Sequence, residues 1–262
     1  MGCEEMGDVP PTHPRYASLM ARKRLTDAAS EGMLAESALI AHGRGEAFDY
    51  LLGERTCDAA RKAIGEVAAR LLSAERPIIS VNGNTVALAG PQLLACAALL
   101  NCPVEVNIYY RTPERMKALL SALELQREEA ASLYPELSQQ ISVVPILGAT
   151  PDGRIPNLDG PRANCHSNGI LAADVILVPL EDGDRCEALV AMGMTVCAVD
   201  LNPLSRTARK ATVTVVDELT RCLPLLIGDL MDGSRIPSEK WDNEQNLHEM
   251  VSEMLRVLGD SS

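Results

Sequence analysis

From residue 77 onward the chain alternates short apolar runs with stretches of helical periodicity, and few architectures accommodate that order. The apolar runs fall at Pro77 to Val81, Val104 to Tyr109, Ile141 to Leu147, Asp174 to Pro179, Thr195 to Val199 and Ala211 to Val216. They are continuous rather than alternating with polar residues, which is the pattern of strands covered on both faces. Helical stretches at about 85–100, 112–130, 184–193 and 217–231 separate them, the second opened by Thr112-Pro113, a cap followed by Pro at the first helical position. The alternation predicts an α/β fold built on a doubly wound, mostly parallel sheet. In such sheets ligands bind in the loops at the carboxyl ends of the strands.

The regions outside the sheet read differently. Residues 1–12 are small, polar and Pro-rich and are expected to form a flexible leader. Helical segments near 16–29, 33–52 and 56–73 follow, with Thr56 as the expected cap of the last. A single domain is expected over 13–232, with a helical opening at 13–75 and the sheet core at 76–232. A tail at 233–262 carries Leu247, Met250, Val251, Met254, Leu255 and Leu258 at helical spacing, a stripe suited to core or subunit packing.

With 262 residues, 47% of them hydrophobic, the chain can bury one large core. The formal net charge of −12 argues against nucleic acid and anionic membranes as partners, because both attract clustered Lys and Arg. A small soluble substrate is the expected ligand. The eight cysteines are scattered without a CxxC pair, so buried thiols are expected rather than a zinc site. The start Met-Gly-Cys-Glu-Glu lacks the basic and apolar regions of a signal peptide, and no apolar run reaches the roughly 18 residues that span a bilayer. A cytoplasmic location is expected.

Four polar motifs carry the candidate chemistry, the last three of them at strand ends. His42-Gly43-Arg44-Gly45-Glu46 offers a guanidinium between glycines, suited to phosphate or carboxylate, with His42 as a candidate proton acceptor; a solvated connection between helices would look the same. Asn82-Gly83-Asn84 closes the first apolar run and opens a helix, where exposed amides form an anion site. It lacks the glycine fingerprints of dinucleotide folds and phosphate loops. Glu181-Asp182-Gly183-Asp184-Arg185 gathers carboxylates that would repel each other unless a magnesium ion, or hydroxyl and amine donors, shared the space, with Arg185 facing phosphate; an acidic surface turn is the alternative. Asp200-Leu201-Asn202, with Ser205 and Arg206, places an acidic residue and several donors after another strand, an arrangement suited to ribose and phosphate or to a plain turn. Arg22, Arg111 and Arg115 add cations near element ends.

With those residues in view, the chain resembles the archaeal phosphopantothenate synthetase family, the 4-phosphopantoate–beta-alanine ligases. The resemblance rests on HPRYASL (13–19), LIAHGRGEAFDYLLGE (39–54), SVNGN (80–84), EVNIYYRTPER (105–115), ADVILVPLEDGDR (173–185) and DLNPLSRTA (200–208). It implies a Rossmann-like core and a homodimeric, magnesium-dependent enzyme. Such an enzyme joins 4-phosphopantoate and beta-alanine while cleaving ATP to AMP and diphosphate. It also implies ATP contacts at Arg22, Arg44, Asp182-Gly183-Asp184 and Asp200-Leu201-Asn202. Asn82, Gly83, Asn84 and Arg111 are the candidates for the phosphopantoate site on chemical grounds. Cys186 and Met194 depart from the family, which is expected to carry Thr and Lys there, and Cys186 puts in doubt a hydroxyl contact to nucleotide. A nicotinamide- or sugar-nucleotide-dependent oxidoreductase and a non-enzymatic nucleotide sensor are the rival classes.

Overall fold

A computed structural model describes residues 9–259, so most of the leader expected at 1–12 lies outside the described residues. Three helices open the chain: α1 (Tyr16–Ser30), α2 (Glu36–Leu51) and α3 (Asp58–Leu72). The first sheet strand, β1 (Pro77–Val81), feeds α4 (Gly83–Leu100), and β2 (Val104–Val106) is followed by α5 (Pro113–Leu133) and the short α6 (Ser138–Ser142). The edge strand β3 (Ile146–Leu147) precedes a two-stranded antiparallel hairpin, β4 (Gly153–Arg154) with β5 (Asn164–Cys165). The chain then re-enters the main sheet through β6 (Val175–Pro179), α7 (Gly183–Ala191), β7 (Thr195–Val199), α8 (Arg206–Lys210), β8 (Val213–Val215) and α9 (Leu219–Asp232), and ends in α10 (Asn243–Gly259).

The main sheet runs β3-β2-β1-β6-β7-β8 with every pairing parallel. Strand order therefore reverses between β1 and β6, the position where doubly wound sheets open a crevice for ligands. Burial on both faces is visible residue by residue. Ile79, Val81, Leu177, Cys197 and Val199 enter one core with α3, α4 and α9, while Ile78, Ile176, Val178, Val196 and Ala198 enter a second with α7.

Several expectations change at the edges. The run Val104 to Tyr109 forms strand only to Val106, because Asn107 turns its amide to Arg162 O (3.1 Å) and Asn164 O (3.0 Å) and so ties the chain to the hairpin. Ile141 to Leu147 divides into the end of α6 and the two residues of β3: an edge strand needs pairing on one side only, and Ile141 is buried as a helix residue. The segment around Arg206 forms a short helix that no apolar periodicity announced.

Helix α4 has the length and hydropathy to cross a membrane, contrary to the expectation that no run was long enough, yet 72% of it is buried inside the protein. Its apolar character serves the core. A break at Ala89 precedes Pro91, and Gln126 of α5 donates to the Val86 carbonyl at 2.9 Å, supplying a donor where the helix ladder is interrupted.

The tail packs into the body. Leu247, Met250 and Met254 of α10 meet Leu52, Cys57, Ala60, Ala208 and Val216, whereas Leu255 of the predicted stripe is exposed.

Candidate active site

The loops following β1, β6 and β7 converge on one side of the sheet, and α2 lies across them. Asn82 fixes the first of these loops. It caps α4 by accepting from Thr85 N at 3.2 Å, while Thr85 Oγ1 accepts from the Asn82 amide at 2.8 Å, a reciprocal capping box. Its side-chain nitrogen donates to Leu180 O at 2.9 Å and Pro179 O at 3.3 Å, tying β1 to β6 across the switch point. Leu180 holds φ of +53°, a left-handed conformation costly for a branched residue, and its own amide donates to Val199 O at 2.9 Å. Three strand ends thus meet at Leu180.

The acidic loop resolves its charge repulsion with arginines rather than with a cation cage. Glu181, buried, is paired with both Arg185 and Arg162. Asp182 caps α7 through Arg185 N at 2.8 Å and lies 2.8 Å from an Arg162 terminal nitrogen. Arg162 and Arg185 are each pushed down to about 10 by burial, so both remain cationic at neutral pH. Among the described residues, no group of three or more His, Cys, Asp or Glu side chains converges to hold a metal.

Next to this loop, Asp200 accepts from Asn202 N at 2.9 Å and from Ser205 Oγ at 2.5 Å, and burial raises its pKa. Asn202 Oδ1 accepts from Leu204 N at 2.9 Å, and Ser205 caps α8 through Ala208 N at 2.9 Å. The loop is pre-organised by its own side chains. A cleft of about 580 Å³ opens between it, the acidic loop and α2, lined among others by His42, Arg44, Asn84, Asp182, Gly183, Asp200, Asn202, Ser205 and Arg206. At His42 and Leu201 this cleft meets a recess of about 260 Å³ under α1, lined by Arg15, Glu46, Asp49, Glu218 and Arg221.

The charges along α1 and α2 differ in their freedom. Arg22 is engaged by Glu46 at 2.8 Å and by the Tyr50 hydroxyl at 2.9 Å. Arg44 projects from α2 into the cleft with no ion-pair partner among the described residues. His42 is held below the usual histidine range by burial, with Arg22 adding to the effect and Glu46 opposing it, so it is neutral near pH 7.

Several candidates change role. The His42–Glu46 motif is continuous helix, so its glycines do not bare backbone to a ligand; a Cβ on Gly45 would meet only Leu201, at 3.6 Å. Gly83 is small because the chain, not a ligand, crowds it: a Cβ there would sit 2.4 Å from Leu34 Cδ2 and 2.9 Å from Met33 O. Gly183 likewise makes room for Arg206, whose guanidinium pairs outward with Asp184 and Glu187. Arg185 does not face phosphate. It is 0% exposed and points beneath the loop, donating to Ser80 Oγ at 3.1 Å as well as to Glu181. Arg111 is turned to Gly148 O and lines a separate groove.

Both family departures are internal. Cys186 is fully buried with its sulfur 3.6 Å from Thr207 O, and Met194 sits in the second core. Neither lines the cleft, so neither position presents a side chain to a nucleotide there.

Sequence reasoning missed Arg162 and Glu105. Arg162 lies in the hairpin segment, far in sequence from any strand end of the main sheet. Glu105 sits inside a strand, buried, and accepts from His166 N and Ile170 N, both at 2.9 Å, anchoring the segment that leads into β6. The one available signal was a charged residue inside an apolar run.

A family model described as phosphopantothenate/pantothenate synthetase matches residues 59–257, a span that includes α10 and so extends past the region where the resemblance was legible. The chain is 44% identical over 253 residues to the 4-phosphopantoate–beta-alanine ligase of Thermococcus onnurineus, covering 94% of this chain and 92% of that protein. It is 41% identical over 256 residues to the ligase of the same name from Methanosarcina mazei, covering 95% of both. With the Methanospirillum hungatei ligase the identity is 46% over 215 residues, 82% of each chain. A match over most of the length, to the family model and to these ligases alike, shows that the chain belongs to the phosphopantothenate/pantothenate synthetase family.

Proposed function

We propose that the chain is an ATP-dependent ligase of coenzyme A biosynthesis that condenses 4-phosphopantoate with beta-alanine to 4'-phosphopantothenate, releasing AMP and diphosphate. The observation that carries this beyond the names of its relatives is the cleft itself. It is built at the switch point from three strand-end loops, and it holds an unpaired arginine, Arg44, beside a neutral histidine, His42.

In this reading the substrate carboxylate attacks the α-phosphorus of ATP, the bond to the bridging oxygen breaks, and diphosphate leaves. The resulting mixed anhydride is opened by the neutral amine of beta-alanine, which loses a proton as AMP departs. The chain aligns the reactants and offsets developing phosphate charge, tasks for Arg44 and for Asn202 and Ser205 in the β7 loop, all of which line the cleft. In this reading His42, which lines the cleft, accepts the amine proton, and its neutral state suits it. The pre-organised Asp200 loop holds the nucleotide in register.

Magnesium accompanies the nucleotide in this proposal. Phosphate oxygens and water supply most of its ligands in such sites, so the absence of converging carboxylates among the described residues is compatible with it. The protein acts as a cytoplasmic homodimer, for which exposed Ile40, Tyr109 and Tyr110 provide apolar surface.

The test is incubation with ATP, Mg²⁺, 4-phosphopantoate and beta-alanine, following AMP and product by mass spectrometry with each component omitted in turn. AMP and phosphopantothenate in equal amounts, dependent on all three substrates, are expected. ADP would replace the adenylate by an acyl phosphate, and no product would end the ligase assignment.

A further inference from the structure

Helix α2 carries His42 and Arg44 across the cleft, yet its two halves are held very differently. The second half is anchored. Asp49, the one buried residue of the helix, accepts from the two terminal nitrogens of Arg221 in α9 at 2.6 and 3.2 Å. Glu46 pairs with Arg22 at 2.8 Å, and Leu52 just beyond the helix is fully buried. The first half, residues 36–45, lacks such ties. No residue in it is buried, and among the described residues no side chain in it makes a hydrogen bond or an ion pair. It is tethered by one bond from the Asn84 side-chain nitrogen to Ala38 O at 3.2 Å, with Ala38 and Leu39 half-buried against the first core. Its N-cap is Ala35, which offers no side-chain acceptor to the first amides. Met33 and Leu34, just before it, are buried again, so a weakly held stretch is suspended between two anchored ones.

The glycines of this stretch weaken it further. A helix interior disfavours glycine because the unwound chain gains so much freedom there. Packing does not require either glycine: a Cβ on Gly43 would meet nothing within 4 Å, and one on Gly45 would meet only Leu201, in ordinary contact at 3.6 Å. Gly43 also lies outside the cleft walls, so close approach of a ligand from the cleft does not require it. A missing cap, two glycines without a packing role and the lack of buried side chains all lower the cost of unwinding one stretch, and that stretch holds Arg44.

We infer that residues 36–45 form a strap over the cleft, in equilibrium between helix and an unwound form, and that a polyphosphate nucleotide selects the helical, closed form. This rests on the ligase assignment above. Arg44 supplies the coupling. Its guanidinium has no ion-pair partner among the described residues and is set in the cleft wall by the helix, so the nucleotide gains that contact in the closed form and shifts the equilibrium toward it. His42 enters the cleft wall by the same step. Opening between Leu34 and Glu46 gives substrates and products a route that leaves the anchored core undisturbed.

The experiment is hydrogen–deuterium exchange read by mass spectrometry on the purified full chain, with and without ATP and Mg²⁺, after calorimetry has measured ATP binding. In the free protein amides 40–45 are expected to exchange at least about 100-fold faster than amides 48–52. Saturating ATP should slow 40–45 about 10-fold or more while changing 48–52 less than about twofold. Gly43→Ala removes only chain freedom, so it should slow exchange of 40–45 in the free protein about fivefold, the difference between glycine and alanine in a helix interior. Arg44→Ala at saturating ATP should leave 40–45 exchanging at the free-protein rate. Amides 40–45 as protected as 48–52 in the free protein would mean that a neighbour, such as a partner subunit over Ile40, already holds the strap, and would overturn the inference. Bound ATP that leaves 40–45 unprotected overturns it too, with the ligase assignment intact. No ATP binding in calorimetry ends the ligase assignment and the closure together.

Discussion

Arg185 illustrates how a charged residue in a functional motif can be wholly structural. Its guanidinium lies at 0% exposure between Ser80 of β1 and Glu181 after β6, so it cements the two strands that flank the switch point. Removing one partner of a buried pair leaves the other charge uncompensated, and burial has already made that charge costly. Arg185→Met should therefore destabilise the fold by about 3–5 kcal/mol, measured as a shift of the urea midpoint at unchanged slope. A loss under about 1 kcal/mol would mean that Arg162 alone neutralises Glu181. The same residue shows why sequence position misled. Arg185 follows the acidic loop directly, but it occupies the first turn of α7, and helix geometry turns its side chain inward while Asp184, one residue earlier, faces solvent.

At the scale of elements, the site depends on how strand ends are joined. Asn82 closes the capping box of α4 and at the same time donates to two carbonyls of the neighbouring strand end. Asn82→Ala removes the cap and leaves the Leu180 carbonyl without its donor, for an expected loss of about 2–4 kcal/mol in chemical denaturation. Because Leu180 lines the cleft where three strand ends meet, turnover should fall further than stability alone explains, in assays run well below the unfolding transition. An Asn82→Ala protein of wild-type turnover would show that the strand-end tie is dispensable for alignment.

The molecule as a whole is held by a long-range closure. The apolar stripe of the tail, suited to core or subunit packing, packs into the core: Met250 is fully buried, its sulfur 3.4 Å from Cys57 Sγ, and α10 covers the junction of α3, α8 and β8. Met250→Ala should destabilise the protein by about 2–5 kcal/mol, the range for emptying a core methionine, while substrate KM values stay unchanged in the folded protein. Thermal melts followed by kinetics below the transition would check both parts. An unaltered melt would show that α10 adds nothing to the stability of the body.

The order of strands and helices, and with it the α/β class, was legible in the sequence because each buried parallel strand must be a continuous apolar run between amphipathic helices, and that constraint is local. The motif loops were legible for the same reason, since they begin where such runs stop. Residues 77–81, 174–179 and 195–199 needed almost no correction. What tertiary structure decided was the direction and partnership of charges. Whether Arg44, Arg115, Arg162 or Arg185 is free, shared or buried depends on carboxylates and carbonyls that other elements bring within about 3 Å, and hydrogen bonds and ion pairs act only at that range. The cleft draws its walls from α2, the start of α4 and the loops after β6 and β7. No local pattern encodes that meeting, because the sheet's reversal between β1 and β6 creates it.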